Sequence, residues 1–204
     1  MTTILHIQCG ANLKSSVTRQ IGQLVTEALQ ARDPSARVIR RDLVADPPPH
    51  LSPAFVAAMF SEATTGDEFA LSNQLIEDLF ASDVFVIEAP MYNFGIPSAL
   101  KAWFDHVVRV RKTFRTTETG AEGMLEGKQA ILVLGSGFVY SDGPFKVMDF
   151  VEPYLRAMLG FIGVTDLETI RIEDHNMGPE KAARSLAQAK QRVSQLFTHA
   201  RQRA

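Results

Sequence analysis

The sequence predicts an α/β fold, with five parallel strands in one sheet and helices on both faces, in a single domain of residues 1–204. Three observations carry this reading. Short apolar runs rich in β-branched residues recur along the chain, at residues 4–7, 84–87 and 130–134. Each leads through a loop into a segment with helical spacing. Runs that are apolar on every side suit a parallel sheet buried between helices. The third observation is the apolar share, 46% of 204 residues, which is enough for a core of that kind.

The elements follow in order. Ile4, Leu5, His6 and Ile7 form the first strand, and residues 9–15 a loop of small and polar residues. Residues 16–31 read as a helix, with Ile21, Leu24, Val25, Ala28 and Leu29 on one face and Ser15 or Ser16 as its cap. Residues 37–43 make a second, more exposed strand. Pro47, Pro48 and Pro49 exclude helix and central strand. Ser52 and Pro53 open a short helix through Phe60, residues 61–67 are polar and loose, and residues 69–81 form a helix on Leu71, Leu75 and Leu79. The excursion over 44–66 is longer than a usual connection and is expected over a functional face.

The central strand begins at Val84 and delivers the loop Pro90-Met91-Tyr92-Asn93-Phe94. Pro97 then suits the first turn of a helix over 98–111. In that helix Leu100, Phe104, Val107 and Val108 are the buried stripe, while Lys101, Asp105, His106 and Arg109 face outward. Residues 113–123 read as a hairpin or flap within a second excursion, 112–127. Residues 128–134 form the fourth strand, ending in Gly135-Ser136-Gly137-Phe138. Residues 147–161 are largely helical, residues 167–172 form the fifth strand, and a helix runs from Glu180 to the end on Leu186, Ala189, Val193, Leu196, Phe197 and Ala200.

A single domain of this pattern takes the flavodoxin-like strand order 2-1-3-4-5. Its crevice lies beyond the carboxyl ends of strands one and three. The loops there are residues 9–16 and 90–94, followed by 135–138. Ser16, Val17 and Thr18 start a helix whose free amides bind phosphate, although the same hydroxyls also serve simple capping. Met91, Tyr92, Asn93 and Phe94 suit one wall of a pocket for a flat polar heterocycle. Gly135, Ser136, Gly137 and Phe138 allow close backbone approach or a tight turn.

Other chemistries are excluded. The net charge of −2 gives no basic face for nucleic acid. The single cysteine, Cys9, precludes an internal disulfide and fits a reducing compartment. No leader-like or membrane-spanning run is present, so a soluble cytoplasmic protein is expected. There is no Walker A motif, no G-x-G-x-x-G, no G-x-S-x-G and no zinc spacing among the five histidines. His6 reads as a satisfied core or edge residue and Cys9 as a small buried one.

Several pieces together resemble one known family. They are Pro90-Met91-Tyr92-Asn93-Phe94, Ser16-Val17-Thr18, Leu100-Lys101-Ala102-Trp103-Phe104-Asp105, Thr113-Phe114-Arg115, Glu122-Gly123, Asp142-Gly143-Pro144, Gly160-Phe161-Ile162-Gly163 and Gly178-Pro179-Glu180. In this order they resemble the FMN-dependent NADH azoreductases, also described as NADH:quinone oxidoreductases. The resemblance implies FMN as cofactor and NADH or NADPH as donor. It implies a ping-pong, two-electron hydride transfer to quinones and aromatic azo compounds. No side chain is implied as an obligatory catalytic acid or base, and no metal. Ser16, Val17 and Thr18 would hold the phosphate. Pro90, Met91, Tyr92, Asn93 and Phe94 would line the ring, with Gly135, Ser136, Gly137 and Phe138 over its pyrimidine side. Members are homodimers, which would bring Phe114, Thr116 and Phe161 to the substrate face.

Three departures stand out. The family's serine at a phosphate contact is Gly10 here, leaving only backbone. Its Ser-Arg-Gly-Gly loop is Gly135-Ser136-Gly137-Phe138, without the arginine and with a ring added. A common aromatic is Thr116. Acceptor preference is expected to differ at Phe138 and Thr116. The rival reading is a flavodoxin-type FMN electron carrier without its own substrate pocket.

Overall fold

The computed structural model describes residues 1–61 and 66–199. The sheet consists of β1 (Thr3–Gln8), β2 (Arg37–Asp42), β3 (Val84–Pro90), β6 (Gln129–Gly135) and β7 (Asp166–Ile172). Its order is β2-β1-β3-β6-β7 and every pairing is parallel, which is the predicted topology once the hairpin strands are set aside. The hairpin is β4 (Phe114–Thr117) with β5 (Gly120–Gly123), paired antiparallel. The helices are α1 (Val17–Arg32), α2 (Pro53–Met59), α3 (Ala70–Ala81), α4 (Ser98–Val107), α5 (Glu152–Phe161) and α6 (Pro179–His199).

Alternate side chains of each strand point to opposite faces. Leu5, Ile7, Phe85, Ile87 and Leu132 pack with Leu79, Leu100, Trp103, Phe104 and Leu159, which places α3, α4 and α5 on one face. Ile4, Val86, Ile131 and Ile170 pack with Ile21, Val25, Ala189 and Val193, which places α1 and α6 on the other. Each such side chain, fully buried, contributes roughly 1.5–3 kcal/mol of transfer free energy. Two helices on one face and three on the other leave the carboxyl ends of β1, β3 and β6 as neighbours at one rim.

The structure corrects five expectations. The helix after Pro97 ends at Val107, not residue 111, and Pro97 is its cap rather than part of its first turn. Thr113 takes over the end: its hydroxyl donates to the Val107 carbonyl at 2.6 Å and accepts the Arg109 amide at 3.1 Å. Arg109 is buried, not outward. Its guanidinium stacks on Phe69 at 3.7 Å and bonds Ser72 and Asn73. His106 is also buried, with Nε2 2.9 Å from the Pro49 carbonyl and its ring edge-on to Phe55. Two segments cause this: Pro49 and Phe55 of the 44–66 excursion cover His106, while Phe69, Ser72 and Asn73, at and just before the start of α3, cover Arg109.

The helix expected over 147–161 starts only at Glu152, after a short 3-10 turn at Lys146–Met148. Asp149 sets that start, its Oδ1 accepting the amides of Val151 and Glu152. Residues 62–65 of the loose segment, and Ala200, lie outside the described residues. His6 and Cys9 are both buried as expected. Burial, with the Glu88 charge adding, pushes the Cys9 thiol well above its ordinary pKa, so it is no nucleophile.

Candidate functional site

The loop after β1 is organised by Asn12. Its Oδ1 accepts the amides of Lys14 and Ser15, and its carbonyl accepts the Ser16 amide. This Asx turn brings Ser16 to the cap of α1, where its Oγ accepts the Arg19 amide at 3.4 Å. The Val17 and Thr18 amides, at the first helical turn, have no partner among the described residues. Helix geometry leaves such donors open to an anion. Ser16 Oγ and Thr18 Oγ1 lie 3.0 Å apart. A Cβ on residue 10 would come within 2.3 Å of Ser16 Oγ, so Gly10 leaves the room those hydroxyls occupy.

The Arg19 and Asp42 charges near this helix end engage each other. Arg19 grips both carboxylate oxygens of Asp42, at 2.9 and 2.7 Å, and bonds the Gly10 carbonyl at 2.8 Å. The Arg19 guanidinium holds the Asp42 carboxyl below its usual range, against the opposing effect of burial. The cradle therefore works through neutral amides and hydroxyls, with Arg19 bracing the loop.

The loop after β3 is a tight turn. Tyr92 and Gly95 exchange both backbone bonds, at 3.0 and 3.1 Å. Asn93 and Phe94 between them have φ of 50° and 69°. Asparagine tolerates that region, but phenylalanine there stores about 1–3 kcal/mol of strain. The strain presents Phe94 outward, with its carbonyl accepting the Phe150 amide. Tyr92 Oη accepts the Ala11 amide at 3.1 Å, joining this loop to the one after β1. The Met91 amide bonds the Gly135 carbonyl at 2.7 Å, joining it to the loop after β6.

These loops enclose a cleft of about 410 Å³. Ser16, Val17, Thr18, Pro90, Met91, Tyr92, Gly135, Ser136 and Gly137 line it, as the sequence predicts. Gly10, Asn93, Phe94 and Phe138 do not line it. Gly10 backs the cradle from behind, and Phe94 and Phe138 are large exposed side chains. Asn12 and Ser15 of the 9–16 loop also line it, and so do His175 and Asn176, which the sequence does not place there. The Asn12 turn had a signal in its spacing to Ser15. The other pair had none, because nothing local brings the loop after β7 here.

Phe114, Thr116 and Phe161 also stand apart from the cleft lining. Phe114 and Phe161 touch, with ring centroids 4.7 Å apart. Thr116 is exposed on β4. A second groove, of about 220 Å³, runs between the triproline segment and α3. Its cations are engaged, Arg41 with Asp78 and Arg40 with His6.

The main cleft has the size of a cofactor site. Open helix-end amides with hydroxyls fit a phosphate at one end. The flat wall of Met91 and Tyr92 and the close backbone of residues 135–137 fit a planar polar ring. These residues therefore fit a flavin mononucleotide.

Known proteins agree with that geometry. Residues 2–197 match the family model described as flavodoxin-like fold. An FMN-dependent NADH:quinone oxidoreductase of Francisella philomiragia subsp. philomiragia is 42% identical, over 96% of this chain and 99% of that protein. One of the same name from Beijerinckia indica subsp. indica is 43% identical, over 96% and 99%. In structure, the chain is similar to an azoreductase from Bacillus anthracis str. Sterne, with TM-score 0.88, 24% identity and coverage of 97% and 99%. It is also similar to an FMN-dependent NADH-azoreductase from Bacillus anthracis str. Ames Ancestor in complex with FMN, with TM-score 0.83, 22% identity and coverage of 97% and 100%. At those identities the two structures bear on the fold.

Proposed function

We propose, because the chain belongs to the flavodoxin-like fold family that includes the FMN-dependent NADH:quinone oxidoreductases, that it is an enzyme of that activity. The observation that carries the reading is the single cleft into which three strand ends deliver an anion cradle, a flat wall and close-approach backbone. When bound there, FMN supplies two-electron hydride chemistry, accepting from NADH or NADPH and donating to a quinone or azo compound in ping-pong order.

The chain's own part is placement and electrostatics. The Val17 and Thr18 amides, with the Ser16 and Thr18 hydroxyls, hold the phosphate. Met91 and Tyr92 form the wall, and Pro90 closes its end. Asn93 and Phe94 extend the wall at the rim, with Phe138 opposite. Backbone of Gly135, Ser136 and Gly137 faces the polar edge, where oriented amides favour negative charge. No side chain is assigned as an obligatory acid or base.

Phe114, Thr116 and Phe161 are the acceptor-binding surface in this reading, completed by a second copy of the chain. The exposure of Thr116 on the hairpin and of Phe161 at the end of α5, with half-buried Phe114 against Phe161, supports that role. The reading also carries a cytoplasmic location, which the single, buried cysteine supports. No helix among the described residues is long and apolar enough to cross a membrane.

Purified protein with flavin absorbance, and NADH oxidation that depends on added benzoquinone, is the expected result. A bound flavin with no turnover of any acceptor would instead make the chain an electron carrier. Protein that neither carries nor takes up FMN would remove the reading.

A further inference from the structure

His175 lines the cleft, and the reading above gives it no part. Its Nδ1 is buried and has no hydrogen-bond partner among the described residues. Buried polar atoms are nearly always satisfied, and an exception in a binding cleft points to a partner that the ligand brings.

The backbone of His175 is held in place by the loop after β6. The Ser136 amide bonds the Ile172 carbonyl at 2.9 Å, continuing the pairing of β6 with β7. The chain then turns at Asp174, whose φ is 60°. The turn closes with the Met177 amide on the Asp174 carbonyl, and it returns the His175 and Asn176 amides to the carbonyls of Ser136 and Gly137, both at 3.2 Å. The Asn176 side chain fills the space beside Gly137, its Nδ2 lying 2.7 Å from where a Cβ would sit.

Neighbouring charges are engaged elsewhere. Asp174 pairs with Lys181 at 3.2 Å. Glu173 accepts the amides of Tyr140 and Ser141 and lies 3.3 Å from Arg171. Among the described residues His175 is the one histidine that lines the cleft, and its backbone is fastened to the loop after β6.

The structure assigns His175 as a cofactor-positioning residue whose Nδ1 hydrogen-bonds a ribityl hydroxyl or ring-edge group of the flavin, outside the phosphate. This rests on the flavin reading. The placement follows from its neighbours, since His175 is fastened to Ser136 and Gly137, whereas residues 16–18 form the phosphate cradle.

The test is flavin binding by apoprotein, followed through quenching of flavin fluorescence, for the wild type, His175→Ala and His175→Asn. Asparagine keeps a hydrogen-bonding atom near the Nδ1 position. His175→Ala is expected to weaken FMN and riboflavin by the same factor, about three- to tenfold, with His175→Asn restoring most of it. Melting of the His175→Ala apoprotein should match the wild type, because the lost atom bonds nothing there, while its stabilisation by added FMN should be smaller. Unchanged affinities in both variants would overturn the assignment. So would a loss confined to FMN, or a lower apoprotein melting temperature with affinity intact. Failure of the wild type to bind any flavin would overturn the parent reading itself.

Discussion

His6 Nε2 lies 2.7 Å from Glu88 Oε1, and both side chains are wholly buried beneath α1. Arg40 Nη1 is 3.1 Å from the other ring nitrogen. A guanidinium can only donate, so Nδ1 accepts and Nε2 carries the proton that is donated to Glu88. The imidazole thus links a surface cation to a buried carboxylate, two residues before the cleft wall at Pro90. Glu88 Oε2 has no hydrogen-bond partner among the described residues.

Removing one member of this pair should cost far more than removing both. His6→Leu strands the Glu88 carboxylate in the core and is expected to lose about 3–5 kcal/mol. The double variant His6→Leu with Glu88→Leu should recover most of that loss. Urea denaturation of the two singles and the double measures the coupling, and simple additivity would contradict the pairing.

The Arg19–Asp42 brace predicts acid sensitivity. The folded pKa of Asp42 is depressed, first by hydrogen bonds from Arg19, so its contribution is present above the unfolded value of about 3.9 and is lost as pH falls toward the folded value. Asp42→Asn should be less stable than the wild type at pH 7, with the gap closing below about pH 4. A melting series across that range reads the gap directly. A gap that widened in acid would reverse the sign of the assignment.

Gly123, at the end of β5, packs directly on the backbone after α5. A Cβ there would lie 2.1 Å from the Gly163 nitrogen. The Leu125 amide bonds the Ile162 carbonyl at 2.9 Å beside this crossing. Gly123→Ala should push the hairpin away and separate Phe114 from Phe161. Stability should fall by roughly 1–3 kcal/mol, the usual cost of overpacking. In the enzyme reading, the KM for quinone should rise more than FMN affinity falls. Equal effects on both would show that the hairpin does not face the acceptor.

Tyr92→Phe removes the acceptor of the Ala11 amide while keeping the ring. Water can satisfy that exposed amide, so stability should change by only about 0.5–1 kcal/mol. The two loops would lose their direct tie, and flavin affinity should fall a few-fold. Titration with FMN distinguishes this from a purely structural tyrosine, which would lower the melting temperature and leave affinity unchanged.

Most of the fold, and the meeting of three loops in one cleft, can be read from residue order. Alternating apolar runs and helical stripes name the strands and helices, because each element must bury its own face. The parallel order then places the ends of β1, β3 and β6 side by side, so Ser16 to Thr18, Met91 and Tyr92, and Gly135 to Gly137 meet in one cleft. Only the tertiary structure decides what a second segment lays over an element. The 44–66 excursion buries His106 on a face of α4 that its own spacing marks as solvent, and the start of α3 buries Arg109 just beyond that helix. The turn at Asp174 carries His175 into the cleft wall, and the parallel pairing of β1 with β3, which sets His6 beside Val86, brings His6 to Glu88 across 82 residues. Periodicity reports the environment an element makes for itself, whereas these contacts arise between segments distant in sequence, and no local pattern encodes them.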